Sequence, residues 1–322
     1  MWRTVVAGMT IVLTWVAPAW CADSQPPAPP WEAPLARQAP LAGQIRDVRN
    51  GRALTPDALI ERLAAADFVL LGERHDNPDH HRLQAWITER LLAQRRPYAL
   101  AFEMIDSGQS PQLADYLAAS PRDAAGLGPA LHWSESGWPD WRYYQPIADA
   151  ALSRGAPILA ANLPPDLVRA IAKNGPSALP APLAQSLQLA PDTDSQILAA
   201  HAAEIQEAHC GVLPERGLTP FALAQYARDA QMARVMADQW QQSKGKTSVG
   251  LIAGAGHVRT DRGVPFHLAR MAPGARVSSL AFVEARDDSA TEADLSGLPY
   301  DLVWFTARVD DGDHCDQLQK PR

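Results

Sequence analysis

The feature that most narrows the fold is a recurrence. Short apolar runs end abruptly in glycine or a polar group, and helix-like sequence follows each. Phe68-Val69-Leu70-Leu71 runs into Gly72-Glu73-Arg74-His75 and then Asn77-Pro78. Tyr98-Ala99-Leu100-Ala101-Phe102 ends in Glu103, and Pro157-Ile158-Leu159-Ala160-Ala161 ends in Asn162. Ser248-Val249-Gly250-Leu251-Ile252-Ala253 ends in Gly254-Ala255-Gly256-His257. Runs without polar alternation suit strands buried on both faces. Such strands alternating with helices imply an α/β fold with a largely parallel central sheet. Arg276 to Val283 and Leu302 to Phe305 supply two further strands, and Gln44 to Ala53 a short one with a turn at Asn50-Gly51.

The helices carry start signals. Thr55-Pro56 and Asn77-Pro78 each pair a capping side chain with a proline that has no amide hydrogen to leave unpaired. The second helix is predicted over residues 78–94, with Leu83, Ile87 and Leu91 as its apolar stripe. Further helices are expected over 109–119 and 145–153. Residues 165–245 form a helical insertion between the third and fourth core strands. Thr219-Pro220 reads as the start of its last helix, which reaches about Trp240. On that helix Gln225, Arg228, Asp229 and Met232 share one face, either turned to a site or solvated. Residues 120–146 read as irregular, with Trp133, Trp138, Trp141, Tyr143 and Tyr144 suited to a lid, a ligand wall or an interface.

The 322 residues divide into three parts. Residues 1–22 read as a signal peptide: Arg3, an apolar run from Val5 to Val16, and Ala17-Pro18-Ala19 as the cleavage site. The run is short for a membrane span. Cys21 offers a lipoprotein alternative, although Trp20 is bulky where a lipidation signal takes a small residue. Residues 23–42, rich in proline, read as a linker or an extended wrapping arm. Residues 43–322 are the α/β domain. Export would place the chain in the periplasm, free or anchored. It also permits a disulfide, for which Cys210 and Cys315 are the natural pair. A net charge of −7 argues against nucleic acid as a partner.

Strands of a parallel sheet bring their carboxyl ends to one rim, so Glu73, His75, Glu103 and His257 can converge there. Two carboxylates and two imidazoles suit a divalent metal such as Zn²⁺ or Mn²⁺. They equally suit metal-free acid–base work on water. His201, His209, His267 and His314 carry no such context. The sequence holds no Gly-x-Ser-x-Gly elbow and no Cys–His pattern, which leaves covalent serine or cysteine catalysis without support.

Gly72-Glu73-Arg74-His75-Asp76-Asn77-Pro78 with His80-His81, then Phe102-Glu103-Met104, resembles the ChaN-like haem-binding uptake family. So do Gly137-Trp138-Pro139-Asp140-Trp141 with Tyr143-Tyr144-Gln145-Pro146, Ala161-Asn162-Leu163-Pro164, Arg228-Asp229, and Ala253 to Arg259 with Gly263-Val264-Pro265. Tyr300-Asp301-Leu302-Val303-Trp304-Phe305-Thr306 completes the series. The resemblance implies an exported protein of haem or iron acquisition, in a superfamily with Tiki proteases and erythromycin esterases. It further implies haem held by a tyrosine at a homodimer interface, with outer-membrane haem-uptake machinery as a partner. Tyr143 and Tyr144 are the candidate ligands, with His80, His81 and Arg259 as further cofactor-binding residues. Two functions therefore stand open: haem binding, and a metal-dependent or His/Glu-based hydrolase using the strand-end cluster.

Overall fold

The computed structural model describes residues 30–94, 96–189, 194–286, 295, 297–311 and 315. Residues 1–22, expected to be a signal peptide and containing Cys21, residues 23–29 of the proline-rich stretch, and His314 lie outside them.

One eight-stranded sheet organises the chain, in the order β2-β1-β8-β7-β3-β6-β4-β5. The strands are β1 (Ile45–Asp47), β2 (Ala53–Leu54), β3 (Phe68–Glu73), β4 (Tyr98–Asp106), β5 (Ile158–Asn162), β6 (Ser248–Gly254), β7 (Val277–Glu284) and β8 (Leu302–Thr306). All neighbours from β8 to β5 are parallel, while the β1–β2 hairpin adds antiparallel to β8. β6 enters between β3 and β4, so the carboxyl ends of these three strands are adjacent.

Alternate residues of each strand feed two cores. Val69, Leu71, Leu100 and Phe102 pack towards α1 (Pro56–Ala64), α2 (Pro78–Leu92), α4 (Ala124–Ala130) and α5 (Trp141–Ser153). Phe68, Leu70, Ala99 and Ala101 pack on the opposite face, towards α9 (Glu215–Gln242) and α10 (Val264–Met271). Burial on both faces is why the strands read as continuous apolar runs. α3 (Ser110–Ala119), α6 (Pro165–Asn174), α7 (Ala181–Ser186) and α8 (Ser195–Ala208) complete the helices. The Thr55 and Asn77 side chains cap α1 and α2 by accepting from the amides of Ala58 and Asp79.

Two local expectations are corrected. Residues 120–146 are not irregular throughout: they contain α4, and α5 begins at Trp141 with Pro146 inside it. Asp140 accepts from the Arg142 amide and starts α5 four residues earlier than the expected Gln145. Likewise α9 begins at Glu215 and carries Pro220 internally, so Thr219-Pro220 is not its start. In both helices the proline removes one backbone bond. Buried Tyr144, Ile147 and Ala148 hold α5 in place, and Ala222, Leu223 and Tyr226 hold α9.

Residues 30–42 are laid against the domain. Leu35 pairs with Arg308, Trp31 and Ala33 are buried, and the amides of Glu32 and Ala33 donate to the buried Asp79 carboxylate at 3.0 and 2.9 Å. A disulfide joins Cys210, after α8, to Cys315.

Candidate functional site

Glu73 is the last residue of β3, Glu103 lies in β4, and His257 sits in the short 3-10 turn Ala255–Val258 that follows β6. His75 follows β3 by two residues. The parallel register brings all four to one rim. A methyl group built on Gly254 would lie 2.9 Å from His75 Nε2 and 3.6 Å from Glu103 Oε2, so both groups converge over that glycine.

The buried half centres on Glu103. Its Oε1 takes Arg228 Nη2 at 2.6 Å and His257 Nε2 at 3.1 Å, and its Oε2 takes the Gly254 amide at 2.7 Å. His257 Nδ1 donates to Asp229 Oδ1 at 2.5 Å, so the ring is clamped between two carboxylates. Burial opposes a charged His257, but Glu103 and Asp229 outweigh it and push its pKa up to about 9. Burial would likewise raise Glu103, yet His257, Arg228 and His75 hold it well below the usual carboxylate range. An imidazolium, a guanidinium and two carboxylates therefore form one buried ionic network at neutral pH.

The outer half centres on Glu73. Its Oε1 accepts from His75 Nδ1 at 2.8 Å and from the Tyr144 hydroxyl at 2.9 Å. Its Oε2 lies 3.3 Å from His81 Nδ1. His81 Nε2 donates to the His75 carbonyl at 2.9 Å. His75 is the exposed member, its side chain 35% accessible and edge-on to Trp138. Burial lowers the His75 pKa, but the Glu73 hydrogen bond and the fields of Glu103 and Glu73 raise it overall.

The other candidates fall into different settings. Tyr144 is fully buried and committed to Glu73; burial first, then Glu73, pushes its pKa far up. His80 is buried, accepts from the Arg74 amide at Nδ1 and bonds Thr306 at Nε2. Burial pushes it well down, so it is a neutral packing group. Arg259 pairs with Asp261 at 2.8 Å and faces Glu204 at 3.9 Å. Tyr143 is half-buried and stacks on His81, ring centroids 5.2 Å apart and planes 9° from parallel. Tyr143 and His81 line an open groove of about 460 Å³ together with Glu32, Pro78, Arg82, Arg142 and Pro146.

The divalent-metal reading of Glu73, His75, Glu103 and His257 finds no support. Among the described residues no group of three or more His, Cys, Asp or Glu side chains is arranged to hold a metal ion. The donors have been turned on one another: both His257 nitrogens face carboxylates, and Glu103 is filled by cations and an amide. Three residues outside the expected strand-end cluster contribute to it: Tyr144, expected as a candidate haem ligand, supports Glu73, Arg228 supports Glu103, and Asn162 donates to the Glu103 carbonyl while accepting from Arg228. The polar face Gln225–Arg228–Asp229 was the available signal, and all three residues contact this site. His201, read as ordinary, is buried with its Nε2 3.6 Å from Asp229.

Residues 59–268 match the family model described as haem-binding uptake, Tiki superfamily, ChaN. Among solved structures the chain is similar to ChaN of Campylobacter jejuni, described for cofacial heme binding. The identity is 22%, the TM-score 0.65, and the match covers 81% of this chain and 95% of that one. An erythromycin esterase, EreC, is a more distant neighbour at 14% identity and a TM-score of 0.40, covering 75% of this chain and 76% of the other. No curated protein sequence matches the chain.

Proposed function

The chain belongs to the ChaN family of haem-binding uptake proteins in the Tiki superfamily, and from that premise we propose that it binds ferric haem in the groove beside α2 and α5, with Tyr143 as the iron ligand. One observation carries the choice of site: Tyr143 is the half-buried tyrosine of the aromatic segment and lines the groove, whereas Tyr144 is buried under Glu73. The groove fits the group on three counts. Its volume, about 460 Å³, lies in the range of small-ligand sites. Tyr143, Pro78 and Pro146 offer apolar surface to a porphyrin face, and Arg82 and Arg142 offer cations to its carboxylates. A phenolate oxygen supplies haem with an anionic ligand suited to ferric iron.

The groove is open, so a second copy of the chain completes the enclosure in this reading. We further assign the protein to the exported compartment from residues 1–22, with an outer-membrane uptake system as the haem source. Titration of the full chain with haemin tests the central claim. A Soret shift that saturates at one haem per chain and is lost in Tyr143→Phe supports it; unchanged binding in that variant overturns it. Sedimentation with and without haemin tests the dimer, which must form or tighten with ligand.

A second reading, a His/Glu-based hydrolase, is favoured by one observation. His75 is partly exposed, its Nδ1 is held by Glu73, and its Nε2 lies near Glu103. A histidine oriented in this way can take a proton from water. Turnover of carboxylic esters, abolished in His75→Ala, supports this reading; equal rates in the two proteins remove it.

A further inference from the structure

Helix α8 is held to the domain by few apolar contacts. Of its 14 residues, His201 is the buried one, while Ile197 and Leu198, one turn before it, are partly buried. Neither His201 nitrogen reaches solvent or forms a hydrogen bond among the described residues. Asp229 Oδ2, 3.6 Å from His201 Nε2, is shut away in the same manner, as is His267 Nε2 on α10. Burial pushes His201 below its ordinary pKa and Asp229 does not offset it, so the ring is neutral at pH 7. Polar groups enclosed without partners carry a desolvation cost that the closed packing does not return. The remaining anchors are ionic. Asp194, just before the helix, bonds the Tyr226 hydroxyl and Arg270. Glu204, one turn after His201, bonds Arg262 at 2.7 Å and faces Arg259 at 3.9 Å. The Glu204 side chain is 36% exposed, and ion pairs open to water contribute little. Beyond the helix the chain turns through Cys210 and Gly211, with φ of 57° and 73°, and Cys210 is tied to Cys315. One end of α8 is thus fixed covalently, and the rest is held by polar contacts.

We propose that α8 is a hinged cover: it lifts from α9 and α10 about Cys210 and Gly211, and in lifting admits water to Asp229 and His257. The inference goes beyond both functional readings and depends on neither. Asp229 Oδ1 bonds His257 Nδ1, and His257 Nε2 faces Glu103, so what α8 covers is one end of the buried ionic network. His75 exposes the other end at the rim. Elements with little buried apolar area open locally at low free energy, and α8 is such an element. The network therefore has a second approach, closed by a helix whose central contact is a burdened imidazole rather than an apolar side chain. Replacing that imidazole by an apolar group of similar size is expected to hold the cover down more firmly.

The experiment is hydrogen–deuterium exchange read by mass spectrometry on the full-length chain with its disulfide intact, for wild type, His201→Leu and Glu204→Gln. In the wild type, residues 195–208 are expected to exchange faster than residues 222–237 of α9 by about tenfold or more. His201→Leu is expected to slow exchange in α8 by about tenfold and to leave α9 unchanged. Glu204→Gln is expected to speed exchange in α8 by about threefold. Acylation by diethyl pyrocarbonate, mapped residue by residue, supplies the second readout. His201 is expected to be labelled in the wild type more slowly than the exposed His132 and His209, and faster in Glu204→Gln by the same factor as the exchange. Wild-type α8 as protected as α9 overturns the proposal. So does a folded His201→Leu protein whose α8 exchanges faster than the wild type, since the imidazole would then be a bonded part of the closed packing. If His201→Leu does not fold, the wild-type rates and Glu204→Gln decide: unchanged exchange and an unlabelled His201 in that variant overturn the cover.

Discussion

Replacing Glu103 by glutamine keeps its volume and removes its charge. Arg228 would lose its carboxylate and His257 would keep only Asp229 of its two, both facing a neutral amide, and stability is expected to fall by about 3 kcal/mol in urea unfolding. The same network sets the pH dependence. His257 is raised from 6.5 to about 9, so its contribution is complete below about pH 6.5 and is lost as pH rises through about 9. Glu103 is lowered well below 4.5, so its contribution is present above about pH 4.5 and is lost as pH falls through its own lower value. The urea midpoint is therefore expected to hold near neutrality and to drop between pH 7 and 9.5. Glu103→Gln should flatten that alkaline drop. The strand-end carboxylates and imidazoles were legible in the sequence because a parallel sheet sends its carboxyl ends to one rim. Their saturation by Tyr144, Arg228 and Asp229 was not, because it depends on how α5 and α9 pack across the sheet.

The turn after β6 holds His257 against the start of α10. A Cβ on Gly263 would meet the His257 carbonyl oxygen at 2.2 Å and the Arg259 oxygen at 3.0 Å, both backbone atoms. Gly263→Ala is expected to cost about 1–3 kcal/mol, the usual penalty for forcing atoms into packed space. It should also shift the His257 ring signals in NMR spectra, since the turn must move to admit the methyl. The strands and capped helices were readable because apolar runs and Thr-Pro or Asn-Pro starts are local signals. The α4–α5 stretch was misread for the opposite reason. Its glycines and prolines argue locally for irregular chain, while burial of Leu127, Trp141 and Tyr144 against one another is a tertiary effect.

The whole molecule is tied together at a distance by Cys210 and Cys315, 105 residues apart in sequence. Closing a loop of that length lowers the entropy of the unfolded chain, and Cys315→Ser is expected to cost about 2–5 kcal/mol in thermal or urea unfolding. A reductant should destabilise the wild type and leave the variant unchanged. The pairing was readable from three cysteines and the export expected from residues 1–22; the path of the proline-rich stretch was not, because composition alone describes a tether and a strap equally well. That strap supplies Glu32 to the groove proposed for haem and two amides to the buried carboxylate of Asp79, two residues before His81. Recombinant trimming at residue 43, the natural choice for anyone tidying away a tail, would open one wall of the groove proposed for haem and leave the buried Asp79 carboxylate to lean on Arg82 alone among the side chains described around it.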